Sequence, residues 1–156
     1  MARATRTYGV RALYVITPLE DQQVLVKTLV SHWTKGFGSV YNPKRCQALE
    51  TVCIQGSLEK ASEDIALRGQ GYPRTVVTSA RDYSGSISIS RFRELLETGN
   101  PYLLVFGTAW GLSQGCMERA DHILEPIRGN TAYNHLSVRS ATSIILDRLL
   151  GRSSLE

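Results

Sequence analysis

EPIRGNTAYNHLSVRSATSIILDRLL, residues 125–150, is the stretch whose reading decides the fold of this chain. It starts as the end of a strand and passes into a loop of turn formers, Pro126, Gly129, Asn130 and Asn134. It then runs on as a long amphipathic helix. Val138, Ala141, Ile145 and Leu149 fall on one stripe, with Leu146 and Leu150 beside it. Arg139, Ser143 and Asp147 recur every fourth residue on the other side. The loop's amides and the helix N-terminus can hold polar ligand groups, which makes the loop a candidate ligand seat. The same residues also fit a surface loop feeding a core helix.

Four more β-type runs precede this stretch: ALYVIT (12–17), LETVCI (49–54), TVVTSA (75–80) and YLLVF (102–106), with HILEPI (122–127) leading into it. Helical patterns lie between them. Residues 2–8 read as helix turns ended by Gly9. Residues 20–33 carry Val26, Leu29, Val30 and Trp33 on an apolar stripe, and a short helix follows Pro43. Ser57 caps a helix with Leu58, Ala61 and Ile65 inward. Ser88 or Ser90 caps another, containing Phe92, Leu95 and Leu96. Strand and helix alternate without a hairpin dipeptide. The expected fold is an α/β domain with a mostly parallel sheet covered by helices on both faces.

The 156 residues read as a single domain over 1–152, with 153–156 as a tail whose final Leu155 and Glu156 resemble a cloning scar. Hydrophobic residues make up 42% and charged residues 21%, the balance of a soluble globular protein. No apolar run reaches membrane-spanning length, and no signal-peptide pattern is present, so the cytoplasm is the expected location. The net charge of +4 comes with fourteen Arg against four Lys. Arg suits phosphate and base contacts, although coding bias also inflates it. Cys46, Cys53 and Cys116, with three scattered histidines, form neither a disulfide framework nor a zinc pattern, and no metal is expected.

Three loops follow the carboxyl ends of successive strands: 79–85, 107–115 and 128–135. Ligands of open α/β sheets sit at that edge. Gly107, Gly111 and Gly115 are spaced by four and do not make a dinucleotide fingerprint; no P-loop and no serine elbow is present. Cys116 opens a short helix where a thiolate could form, and equally fits a small apolar role. Generic oxidoreductases and hydrolases lose their signatures here.

LLVFGTAWGL (103–112), followed by ILEPIRGNTAYNHLSVRSATSIIL (123–146), resembles the paired C-terminal motifs of the SPOUT RNA methyltransferases. The resemblance spans residues 8–150. It is closest to a bacterial branch that in some proteins is fused to a tRNA guanine-N1 methyltransferase. It implies a C-terminal deep trefoil knot, S-adenosylmethionine as cofactor, RNA (tRNA or rRNA) as partner, methylation of a ribose 2′-OH or a base nitrogen, and a homodimer through the C-terminal helix. In the ribose-methylating branch a Gly-Asn-Glu-x-x-Gly loop matches residues 107–112 loosely. Its Pro-x-x-Gly and Ser-Val match Pro126, Gly129, Ser137 and Val138. Thr108 and Ala109 stand where that branch has Asn and Glu. The family's N-terminal arginine motif and first strand are not visible, since Met1 aligns within the family's first helix, so no arginine is assigned by position.

The donor site implied is Thr78, Ser79, Ala80, Phe106, Gly107, Thr108, Gly111, Leu112, Glu125, Ile127, Leu136, Ser137 and Val138. Glycines admit close main chain, apolar residues wall the adenosine, and hydroxyls meet its polar groups. Arg139, Asn134 and His135 are the candidates for chemistry, and Arg81 and Arg128 for RNA phosphate. A non-catalytic knotted RNA-binding or scaffold domain is the alternative.

Overall fold

The structure is a computed structural model and describes residues 1–152. The expected tail, 153–156, lies outside the described residues. The chain divides into two compact units, with the boundary between Asp64 and Ile65.

In the first unit, α1 (Ala2–Thr7) ends where Gly9 takes φ +70°, a conformation that glycine adopts without a Cβ penalty. Then come β1 (Leu13–Ile16), α2 (Glu20–Thr34), α3 (Phe37–Tyr41), α4 (Pro43–Leu49), β2 (Val52–Gln55) and α5 (Leu58–Ile65). β1 and β2 pair in parallel, from Leu13 opposite Val52 to Ile16 opposite Gln55. A parallel pair needs a crossover, which α2, α3 and α4 supply. Asn42 caps α4 by accepting from the Arg45 amide at 3.0 Å, and Pro43 takes the first helical position. Ser57 accepts from the Lys60 amide at 3.3 Å, as a cap for α5 should. Tyr14 donates its hydroxyl to Asp64 at 2.5 Å.

The expected inward stripe of α2 holds for Val26, Val30 and Trp33, which are half-buried, but Leu29 is 54% exposed. The apolar residues of α2 span too wide an arc for one contact face. Leu25 and Leu29 fall on its flank and stay in solvent.

In the second unit, a wide π-type turn (Ala66–Gln70) leads through Gly71 into β3 (Arg74–Thr78). α6 (Ile89–Glu97), β4 (Tyr102–Val105), α7 (Gln114–Glu118), β5 (His122–Leu124) and α8 (Val138–Leu150) follow. The sheet order is β4-β3-β5, all parallel. Val76 and Val77, consecutive on β3 and so facing opposite sides, are both fully buried, which means that both faces of the sheet are covered. Val76, Phe92, Leu124, Ile145 and Leu149 form the core, bringing α6 and α8 onto the sheet.

All five expected strands are present, each shorter than its apolar run. The expected single sheet is instead two parallel sheets among the described residues, one in each unit. β5 stops at Leu124, because Pro126 has no N–H to continue the ladder. Ile87 takes the place beside it: its amide donates to Ile123 and its carbonyl accepts from the Glu125 amide. In α8, Ile145, Leu146 and Leu149 are buried as expected, Thr142 joins them, and Leu150 is 41% exposed. Among the described residues, no helix is long and apolar enough to cross a membrane.

Candidate functional site

Three adjacent parallel strands bring the loops after β3, β4 and β5 to one edge of the sheet, with the β3 loop in the middle. Side chains then tie these segments together. Thr78 donates its hydroxyl to the Val105 carbonyl at 3.0 Å, joining the ends of β3 and β4. Asn134 donates from Nδ2 to the Ala80 carbonyl at 3.1 Å, and Arg128 pairs with Asp82; both link the β5 loop to the β3 loop. Ser79 accepts from the Arg81 amide at 3.0 Å, which tightens the β3 loop on itself.

The β4 loop has the tightest backbone of the site. Gly111 donates its amide to the Thr108 carbonyl at 2.6 Å and sits at φ +83°, which folds 107–112 into a narrow turn. A Cβ on Gly107 would lie 2.5 Å from the Gly111 carbonyl carbon and 2.7 Å from the Leu112 nitrogen. Only glycine admits that main-chain contact. Phe106, Leu112, Ile127 and Val138 around this edge are half-buried, while Thr108, Ala80, Leu136 and Ser137 are exposed. Trp110, at the turn's tip, is fully exposed.

Several expected donor contacts already have partners within the protein. Thr78 has its hydroxyl proton committed, so its oxygen is left to act only as an acceptor. Glu125 accepts from the Ile89 amide at 2.8 Å and, together with Ser88, caps α6. Its carboxylate holds a helix start. Ser137 caps α8 by accepting from the Ser140 amide at 3.2 Å, and its hydroxyl also meets that of Ser140 at 2.9 Å.

The candidates for chemistry do not form one cluster. Asn134 bonds to Ala80, His135 packs edge-on against Tyr133 with centroids 5.2 Å apart, and Arg139 lines a shallow groove on α8 with Ser137, Ser140, Ser143 and Ile144. Among the described residues no hydrogen bond joins the three to one another. Of the two RNA candidates, Arg81 is exposed and Arg128 is paired with Asp82. Asp82 and Ser140 were missed by sequence reasoning. The Ser137-x-x-Ser140 spacing was the available sign of the second. Nothing in the chain's local pattern marks the first as a partner of Arg128, 46 residues away.

The α/β fold with its parallel sheets is similar to that of solved methyltransferases of low sequence identity. A probable methyltransferase of Bordetella pertussis superposes with TM-score 0.63 at 19% identity, covering 95% of this chain and 83% of that one. A TrmH/SpoU tRNA modifying enzyme of Aquifex aeolicus gives 0.56 at 23%, covering 96% and 64%. A family profile described as SAM-dependent RNA methyltransferase matches residues 1–151, and the chain belongs to that family. It is 47% identical over 151 residues to a tRNA (guanine-N(1)-)-methyltransferase of Nitratidesulfovibrio vulgaris. It is 35% identical over 154 residues to an uncharacterized protein of Aquifex aeolicus, covering 98% of this chain and 75% of that protein. The match to the first relative covers 97% of this chain but 35% of the relative, so the chain spans about a third of the protein bearing that name.

Proposed function

We propose that the chain transfers the methyl group of S-adenosylmethionine to RNA, with a tRNA as substrate and a ribose 2′-OH or a base nitrogen as acceptor. The observation that carries this reading is the glycine turn at 107–112, where main chain meets main chain at the edge shared by three loops. The turn brings main chain to that edge with the Gly111 amide held by the Thr108 carbonyl, so the other main-chain groups of the loop are the ones offered to a ligand. The names of the relatives support tRNA, and the family's description supports the donor.

Bound at this edge, S-adenosylmethionine supplies an electrophilic methyl on a sulfonium. The protein's part is to hold and orient. Main chain around Gly107, Gly111 and Leu112 meets the polar edge of the donor, with Thr108 and Ala80 at the rim. Phe106, Leu112, Ile127, Leu136 and Val138 supply its apolar wall. Thr78, Ser79 and Ser137 offer hydroxyl lone pairs. Arg81 and Arg128 take RNA phosphates, Arg128 exchanging Asp82 for a phosphate oxygen. Asn134 and His135 orient the acceptor, and Arg139 polarises it. Residues 1–152 act as one methyltransferase domain, whose C-terminal part forms the family's trefoil knot. Two copies pair through α8, where Leu150 and Ile144 remain for a partner once Ile145 and Leu149 are in the core. A tRNA substrate puts the protein in the cytoplasm.

The test is mass spectrometry of nucleosides from tRNA incubated with the protein and the donor. One methylated nucleoside is expected, and its identity names the acceptor atom. Arg139→Ala should lower the rate about a hundredfold while donor binding persists. Normal methylation by that variant would remove Arg139 from the mechanism. Donor binding without any methylated nucleoside would favour the non-catalytic RNA-binding reading.

A further inference from the structure

The first unit carries a surface that the donor site does not use. From Gln22 to Leu49 the sequence has Lys27, Lys35, Lys44 and Arg45 and not one acidic residue. Within this stretch α3 turns its largest side chains outward. Phe37 is 78% exposed, Tyr41 74% and Val40 78%. The Phe37 and Tyr41 rings lie nearly parallel, 24° apart, with centroids at 6.3 Å.

The platform is held in place. Gly38 is buried against Trp33, so closely that a Cβ there would fall 2.7 Å from the indole ring. The Arg45 guanidinium sits 4.2 Å from the same ring's centroid. Trp33 thus fastens α3 and α4 to the end of α2, and the two exposed rings are presented from a fixed base. Along α2 a shallow groove is lined by Lys27, Thr28, Ser31 and His32, of which Lys27, Ser31 and His32 can donate to an anion while the Thr28 hydroxyl donates to the Val24 carbonyl.

Rings this exposed lose favourable burial unless something flat covers them. The cations of this stretch, with no carboxylate between Gln22 and Leu49, favour an anionic partner. A protein partner with an apolar patch would cover the rings but make no use of the lysines, which stay hydrated. A strand of unpaired nucleotides satisfies both, with bases on the rings and phosphates on the cations. We propose that α3 and its basic surround are a second RNA-binding surface, which stacks unpaired bases on Phe37 and Tyr41 and holds the adjoining phosphates with Lys35, Lys44 and the α2 groove. This rests on the patch itself and is independent of the donor site.

The experiment is fluorescence anisotropy with a labelled single-stranded RNA of mixed sequence and a duplex of the same length, without S-adenosylmethionine. The wild type should prefer the single strand. Phe37→Leu with Tyr41→Leu keeps apolar area but removes the aromatic faces. It should weaken single-strand binding about tenfold or more, since stacking on each ring is a substantial part of the affinity. The exchange Phe37→Tyr with Tyr41→Phe should restore wild-type affinity. Lys35→Ala with Lys44→Ala should flatten the salt dependence by about 0.7 per lost contact. Thermal melts control for folding, and because both rings are exposed the leucine variant should melt as the wild type does. Unchanged RNA affinity in the leucine variant overturns the proposal. So does a wild type that binds duplex as well as single strand, or a leucine-variant effect confined to oligomeric state in light scattering, which would make α3 a protein interface. Calorimetry with S-adenosylmethionine on the same variants reads the donor site separately, so either reading can fail without the other.

Discussion

Gly107 is the residue on which the proposed donor edge depends. Its missing Cβ is the space that lets the 107 and 111 main chains touch. Gly107→Ala should therefore push the turn open, at a cost of about 1–3 kcal/mol. Differential scanning calorimetry should show a fall of several degrees, given about 2–4 °C per kcal/mol for a chain of this size. A second residue-scale prediction concerns Cys46. Desolvation and the Glu50 carboxylate, to which its Sγ donates at 3.6 Å, raise the thiol above its ordinary pKa. A raised pKa means less thiolate at a given pH, so Cys46 should alkylate more slowly than free cysteine at pH 8. Glu50→Gln should speed it, as followed by mass spectrometry of iodoacetamide adducts. At this scale the sequence was informative where geometry follows from one residue. Gly107 was readable as a close-approach glycine. The engagement of Arg128 by Asp82 and of Glu125 by the Ile89 amide was not, because each joins residues 36 or more apart that only the folded sheet edge brings together.

Among elements, the five strands were legible because each is a short apolar run closed by a turn or a polar boundary, as YLLVF is by Gly107. Their distribution between two sheets was not. Pairing is decided by crossovers such as α2 to α4, and a strand's local pattern carries no record of its neighbour. Ile87 escaped for a related reason: one residue of β pairing leaves no periodicity. The α2 stripe was readable to its centre and wrong at Leu29, where propensity and burial part company. The element-scale prediction is on α6. Glu125→Ala removes the side chain that accepts from Ile89 and should cost about 0.5–1 kcal/mol, with Ser88 still capping. Because its carboxylate serves α6, donor affinity should stay within twofold of wild type by calorimetric titration. A larger loss would mean that Glu125 touches the donor.

For the whole molecule, membership of the SAM-dependent RNA methyltransferase family rests on a match over residues 1–151. The proposed dimer through α8 belongs to this scale. Leu150→Asp changes a side chain that is 41% exposed, so the monomer should fold as before while light scattering at micromolar concentration shifts from dimer to monomer. A wild-type monomer under those conditions would contradict the dimer. The proposed donor edge is tested most directly by titration calorimetry of the folded protein with S-adenosylmethionine. Saturable heat in the wild type, lost in Gly107→Ala and kept in Glu125→Ala, is the predicted result. The absence of saturable heat in folded wild-type protein would contradict it.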